Sequence, residues 1–499
     1  MIDTFKHTAK HTFIYSLGNL SVKLAGLFLL PLFTTKLTTT EYGYLAIFET
    51  TGLFLNVFFS LNLAQSLMRW YADAKDAQKQ KNVVATCIFA VFINISLFNV
   101  LLSVFSGKFS QIFFDTTQYK SLFLILFAYI SIDVFNSLSL SLIRMLERSK
   151  LFISINIAKL LIIFTFNIIF ITKYTLGIKG ILLSSLIGSI FNFIVLMPLL
   201  LKNLSSKIDF SIIKPMLKYA IPLSFTSLST ILLDSADRYI LKFLTNDANV
   251  GIYSLSFKIS GMLNFFLFQS FATAFLPIAY KIYKQSNAPK IFSKTMTYLV
   301  MVLLFVGLGL ALFSKEFLFV FSPKNNQYWQ AAAYVPLLNL IVIFYSMRFM
   351  YTINFLIAKK NIYQPFFVIF AVLINISLNF LLIPKFEIWG AIGSSVVTSL
   401  LLNVFYYIFS RKYYRVDYEM LKIWLLIGLS VGFYLISLLF DFNIFVDAAL
   451  KVLLFSIFPF LIFFAGFFDK KEKETILLML NNLRNTIYWK SFMSKIIEK

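Results

Sequence analysis

The stretch "KYAIPLSFTSLSTILLDSADRYIL", Lys218 to Leu241, decides the fold. It is uncharged from Tyr219 to Leu233, then turns to Asp234, Asp237 and Arg238. As a helix, Tyr219 to Arg238 rises about 29 Å at 1.5 Å per residue. That is close to the roughly 30 Å hydrocarbon core of a bilayer. The segment is therefore read as a membrane span that ends in charge. The rest of the chain agrees: 59% of its 499 residues are hydrophobic, 61 are Phe, only 13% are charged, and mean hydropathy is +0.81. Long apolar runs at this density mark an all-α polytopic membrane protein.

Fourteen transmembrane helices are expected, near residues 12–36, 43–68, 83–106, 120–143, 151–172, 179–201, 217–240, 250–280, 295–318, 331–357, 361–384, 389–410, 421–440 and 447–468. Lys and Arg concentrate in alternate connections. These hold Arg69, Lys75, Lys79 and Lys81; Arg144, Arg148 and Lys150; Lys202, Lys207, Lys214 and Lys218; Lys281, Lys284, Lys290 and Lys294; Lys359 and Lys360; Arg411, Lys412, Arg415 and Lys422. Basic residues stay on the cytoplasmic side, so both termini are placed there. The net charge of +23 thus reflects topology rather than a groove for nucleic acid, and no nucleic-acid partner is expected. The tail after 469 repeats apolar residues at helical spacing (Ile476, Leu480, Leu483, Ile487) among lysines. This suits a helix on an anionic membrane surface, or a solvated tail.

Cys87 is the single cysteine, which excludes an internal disulfide and a multi-cysteine metal site. The N-terminus shows no removable signal pattern. No GxxxxGK[ST], HExxH or GxSxG motif is present, and no connection is long enough for a catalytic domain. A transporter is expected rather than an enzyme, with no cofactor.

The chain repeats itself. "RSKLFISINIAKLLIIFTFN" (Arg148–Asn167) is echoed by "KKNIYQPFFVIFAVLINISLN" (Lys359–Asn379). "KGILLSS", with Gly180, Ser184 and Ser185, is echoed by "WGAIGSS", with Gly390, Ser394 and Ser395. "EYGYLA" around Gly43 pairs with "VGIYSL" around Gly251, and Tyr15 with Tyr219. The offsets run only from 204 (Tyr15 to Tyr219) to 212 (Asn167 to Asn379). Two pseudo-symmetric six-helix bundles follow: an N-lobe at 1–201 and a C-lobe at 217–410, joined by a cytoplasmic linker at 202–216. Two further helices lie within 411–468, before the cytoplasmic tail at 469–499. Transporters commonly hold substrate between such halves.

Four basic residues fall well inside spans: Lys23, Lys159, Lys258 and Arg348. Facing lipid they would cost on the order of 10–14 kcal/mol together. Lys23 lies about 16 Å along its helix from Thr12, near the midplane, with Ser16 and Asn19 on the same stripe. One reading is a cationic lining of Lys23, Lys159, Lys258, Arg348 and Asn19 around a polar cavity for an anionic cargo. The other is pairing with Glu49, Asp133, Asp234 or Asp237 to hold the lobes together. Asp133 either carries a coupling ion, H+ or Na+, or neutralises Lys159 on the next helix. Glu49 is open to the same two readings. Ser227, Thr230, Asp234 and Asp237 follow one helical face, and Asp234 and Arg238 form an i, i+4 pair near the outer surface. This cluster is expected to be an outer gate or an ion pair capping the helix end.

Three stretches carry a family resemblance: "LFLLPLFTTKLTTTEYGYLAIFE" (Leu27–Glu49), "DRYILKFLTNDANVGIYSLSFKI" (Asp237–Ile259) and "IPKFEIWGAIGSS" (Ile383–Ser395). They resemble the Wzx-type polysaccharide flippases of the multidrug/oligosaccharidyl-lipid/polysaccharide (MOP) exporter superfamily. Where that family's turn between helices 11 and 12 often carries Gly, this chain has Glu387 or Ile388. The resemblance implies a V-shaped architecture like that of the multidrug (MATE) exporters, in a bacterial cytoplasmic (inner) membrane. It implies flipping of an undecaprenyl-diphosphate-linked oligosaccharide to the outer leaflet by alternating access, for O-antigen or capsule-type polysaccharide. The implied partners are membrane lipids, a polysaccharide polymerase and a chain-length regulator. Two alternatives stay open: a drug/cation antiporter, which would want an acidic cavity, and a membrane polymerase or glycosyltransferase, which would want a large outer loop.

Overall fold

A computed structural model describes residues 26, 28–322, 325–360, 363–439, 444–464, 467–468 and 472–474. Asn19, Lys23 and nearly all of the amphipathic tail lie outside the described residues. All regular structure among the described residues is helical. In chain order the first half is α1 (28–36), α2 (Thr39–Ser60), α3 (Leu63–Asp73), α4 (Ala77–Val104), α5 (Ser106–Phe114), α6 (Lys120–Met145), α7 (Ser149–Ile168) and α8 (Gly177–Lys202). The second half is α9 (Phe210–Leu244), α10 (Asp247–Met262), α11 (Gln269–Ile282), α12 (Ala288–Leu312), α13 (Ser314–Phe321), α14 (Val335–Ile357), α15 (Gln364–Arg411), α16 (Met420–Ser437) and α17 (Ile444–Phe464).

Twelve described helices are long and apolar enough to cross a membrane, so the chain is a multi-pass membrane protein. The number differs from fourteen for two reasons. Most of the first expected span lies outside the described residues. The 48-residue α15 carries the eleventh and twelfth spans together. Its length would reach about 72 Å if straight, but the backbone reverses at Glu387, whose φ of +48° and ψ of −121° leave the helical region. Gly390 lets the two arms meet there: a Cβ on it would lie 2.5 Å from the Leu382 carbonyl. "Outer" and "inner" below follow the basic loops, which mark the inner side.

The second span also breaks. Leu61 and Asn62 both take positive φ between α2 and α3. Irregular backbone inside a membrane must find other partners for its polar groups. Asn94 of α4 supplies one, donating its amide to the Phe58 and Phe59 carbonyls at 2.8 and 2.9 Å. Asn62 in turn donates to Ser227 at 3.1 Å and reaches Ser224 at 3.4 Å, both on α9.

The sequence repeats occupy equivalent geometry. Ser184 donates to the Gly180 carbonyl at 2.7 Å, and Ser394 to the Gly390 carbonyl at 2.8 Å. Gly43 and Gly251 meet each other. A Cβ at Gly43 would lie 2.1 Å from the Asp247 carbonyl oxygen; one at Gly251 would lie 2.0 Å from the Thr39 carbonyl oxygen. Small residues at such crossings let backbones approach as no other residue can. The outer ends of α2 and α10 therefore touch backbone to backbone, closing the halves at that side.

Other contacts reinforce this closure. Tyr328 donates to the Thr38 carbonyl at 2.8 Å. Lys242, paired with Asp247 at 2.5 Å, points its ammonium at the Tyr44 and Phe114 rings. The 35-residue α9 is shared between halves. Its inner part leans on the first half, where Ser66 donates to the Met216 carbonyl at 3.0 Å and Trp70 meets Tyr219. Its outer part is fixed to the second half through Asp237.

Candidate functional site

A cavity of about 560 Å³ lies between the halves, on the inner side of the α2–α10 crossing. Its walls come from α2 (Glu49, Thr50), α9 (Asp234, Arg238), α10 (Ser254, Lys258), the π-helical turn Leu263–Phe268 and α14 (Tyr345). Glu49 and Lys258 sit six and seven residues beyond Gly43 and Gly251, about 10 Å deeper along their helices. They form an ion pair at 3.0 Å that joins the halves within the cavity, and both side chains remain partly exposed there. Lys258 also lies 5.2 Å from the centre of the Tyr42 ring, whose hydroxyl is buried.

Arg238 is placed differently from the expected gate or helix-end ion pair. Its guanidinium donates to the backbone carbonyl of Asp234 at 3.2 Å, not to the carboxylate, and stacks over Phe257 with its carbon 4.7 Å from the ring centre. The Asp234 carboxylate instead faces the cavity. Among the described residues, Arg238 therefore lines the cavity as a cation with no carboxylate in salt-bridge range. The ring holds one face of the plane and the carbonyl one nitrogen, leaving other N–H groups for a ligand. Planar guanidinium groups suit phosphate oxygens in this way.

Asp237 also departs from the gate reading. It is 2% exposed and turned into the second half, away from the outer mouth. Its carboxylate accepts from Tyr253 at 2.7 Å, from Asn379 at 2.8 Å and from Ser395 at 2.8 Å. Three neutral donors, one from α10 and one from each arm of α15, satisfy it, and no described Lys or Arg pairs with it. A small cavity of about 60 Å³ adjoins, whose lining includes Asp234, Asp237, Arg348, Asn375, Ser395 and Asn403 beside apolar residues such as Phe257 and Leu402. Arg348 lies here rather than in the main cavity, over the Tyr345 ring at 4.6 Å.

Asp133 and Lys159 come together as an ion pair inside the first half, and Ser189 donates to the same carboxylate at 3.1 Å. Lys159 is spoken for by that pair and does not line the main cavity; this corrects its place in the expected cationic lining. Removing one partner of this part-buried pair leaves a lone charge inside the membrane, whereas replacing both partners of such a pair with apolar groups is often neutral. Lys159→Met and Asp133→Leu should each lower the melting temperature of the detergent-purified protein, and the double variant should regain most of the loss. Equal, additive losses in both singles and the double would show that the pair does not act as a unit.

The polysaccharide biosynthesis protein family matches the chain over residues 8–283, more than half its length. No curated protein matches it in sequence. Among solved structures, the lipid II flippase MurJ in an inward closed conformation is similar at a TM-score of 0.74 and 16% identity, covering 91% of this chain and 99% of that one. An inward-facing MATE-family multidrug transporter of the MOP superfamily aligns at 0.63 and 13% identity, covering 83% and 95%. The Vibrio cholerae MATE transporter VcmN aligns at 0.57 and 12%, covering 82% and 96%. These likenesses establish a shared fold. The protein is thus a member of the polysaccharide biosynthesis protein family, built on the helical fold of the MOP exporters.

Proposed function

We propose that this protein flips a polyprenyl-diphosphate-linked oligosaccharide from the inner to the outer leaflet by alternating access, for a surface polysaccharide of the O-antigen or capsule type. The observation that carries the reading is Arg238: a guanidinium without a carboxylate partner among the described residues, inside a cavity shut at its outer end. A cation held in a low-dielectric site is costly unless an anion visits it. A diphosphate offers two adjacent anionic groups, and the Ser, Thr and Asn groups of the cavity suit its sugars. Family membership and the likeness to a lipid II flippase support this choice of cargo. The mixed charge of the described walls, with Glu49 and Asp234 beside Lys258 and Arg238, gives no excess of acid for a cationic drug.

In this mechanism the headgroup enters from the inner leaflet while the α2–α10 crossing is closed. Phosphate oxygens engage Arg238 and compete with Glu49 for Lys258. Loosening the Glu49–Lys258 pair removes a link between the halves and favours separation at the outer side. A ligand shifts such an equilibrium only through its differential affinity for the two states, and this competition supplies one. Lys23, outside the described residues, is proposed for the same role on its place in the sequence alone. The site lies in the bacterial inner membrane, where a polymerase and a chain-length regulator would receive the product.

The coupling ion, a proton or sodium, is assigned to Asp237. Asp133 is already held by Lys159 and Glu49 by Lys258, whereas Asp237 keeps a carboxylate facing only neutral donors. Asp237→Asn should leave the protein folded but make transport into an acidified or sodium-loaded vesicle indifferent to the gradient. Retention of full gradient dependence would remove Asp237 from this role. The overall reading is tested by deleting the gene and measuring lipid-linked glycan on the inner leaflet. Accumulation, relieved by the parent protein but not by Lys23→Ala, is expected; no accumulation would refute it.

A further inference from the structure

Two polar atoms in the cavity wall have no hydrogen-bond partner among the described residues, and both belong to the eighth expected span. Ser254, 2% exposed, lines the cavity with its hydroxyl unbonded. Other helical hydroxyls here donate to the carbonyl four residues earlier, as Ser256 does to Ile252 and Ser394 to Gly390; Ser254 does not. The second atom is Asn264 Oδ1, also buried and unbonded. It lies in the turn Leu263–Phe268, where α-helical hydrogen bonding gives way to a π-helix. Asn264, Phe265 and Phe266 of this turn line the cavity. Such turns recur at functional sites.

We infer that Ser254 and Asn264 are the residues that read the sugar head of the cargo, separately from the cations that hold its diphosphate. This rests on the flippase reading above and deepens it. A buried hydroxyl or amide oxygen without a partner carries a desolvation penalty that a matching ligand group relieves. The two groups are neutral. The serine donates and accepts; the amide oxygen accepts. Sugar hydroxyls do both, whereas a prenyl chain does neither. Lys258 stands between them, one helical turn from Ser254. The strip from Ser254 to Asn264 extends about 15 Å along the helix, long enough to contact a headgroup on either side of the ammonium. Phe257 and Phe265 supply apolar faces beside it.

The test compares two probes on the full-length, detergent-purified protein: undecaprenyl diphosphate, and the same lipid bearing one N-acetylhexosamine. The parent protein should bind the glycosylated probe about tenfold more tightly. In Ser254→Ala and Asn264→Leu that preference should fall toward unity while affinity for the bare lipid stays the same, which also reports that the fold is intact. Ser254→Thr, which keeps a hydroxyl, should retain the preference. Equal binding of both probes by the parent, or an undiminished preference in both variants, overturns the inference alone. Binding of neither probe overturns the flippase reading and this inference with it.

Discussion

Gly43→Ala is expected to hold the outer side of the protein open. The added methyl would fall 2.1 Å from the Asp247 carbonyl oxygen, and that oxygen belongs to backbone that cannot rotate aside. Overpacking by one carbon costs about 1–3 kcal/mol in a well-packed interior. Here the closed state bears the whole cost, because the two backbones meet only when the halves are together at this end. A transporter's two states differ by a few kcal/mol, so the closed fraction should fall by roughly 5–150-fold. Gly251→Ala should act alike, since its methyl would meet the Thr39 carbonyl oxygen at 2.0 Å. The check is a single cysteine at Leu53, on the cavity wall, in a Cys87→Ala background, labelled from outside by an impermeant thiol reagent. Labelling should be slow in the parent and at least tenfold faster in either variant. Gly428→Ala, where a Cβ meets nothing within 4 Å, should leave the rate unchanged. Equal rates throughout would mean that the crossing is not the closure.

Arg238→Gln should abolish transport without unfolding the protein. No described ion pair is broken by the change; what is lost is a hydrogen bond to the Asp234 carbonyl and the ring contacts with Phe257 and Tyr253. A hydrogen bond to a charged group contributes about 1.5–3 kcal/mol, so losing one should weaken cargo binding by roughly 10–150-fold. Arg238→Lys keeps the charge but not the planar fork and should recover part of the activity. Melting temperature and substrate binding measured on the same samples separate the outcomes. Lost binding at unchanged stability is expected; unchanged binding in Arg238→Gln would exclude Arg238 from the site.

The membrane character and the repeated architecture were legible because periodicity is local. Gly43 and Gly251 stand out as matched positions, and the matched serines 184 and 394 make corresponding bonds to the matched Gly180 and Gly390 carbonyls. The membrane-embedded charges were legible too, but not their partners. Glu49 and Lys258 are 209 residues apart, and only the packing of α2 on α10 brings them together. Asp234 and Arg238 satisfy the spacing of an ion pair, yet the guanidinium takes the nearer backbone carbonyl and leaves the carboxylate to the cavity. Asp237 shares a helical face with Asp234 on paper; three residues per near-turn are enough to rotate it into Tyr253, Asn379 and Ser395. The π-helical turn at Leu263–Phe268 has no glycine or proline to announce it, so the cavity role of Asn264 had no signal in sequence.

The most direct measurement reconstitutes the protein in vesicles with undecaprenyl-diphosphate-linked oligosaccharide confined to one leaflet and follows its appearance on the other with an impermeant sugar-modifying enzyme. The account predicts rapid appearance with the parent protein and the protein-free rate with Arg238→Gln. Appearance at the protein-free rate with the parent, or at the parent rate with Arg238→Gln, would contradict it.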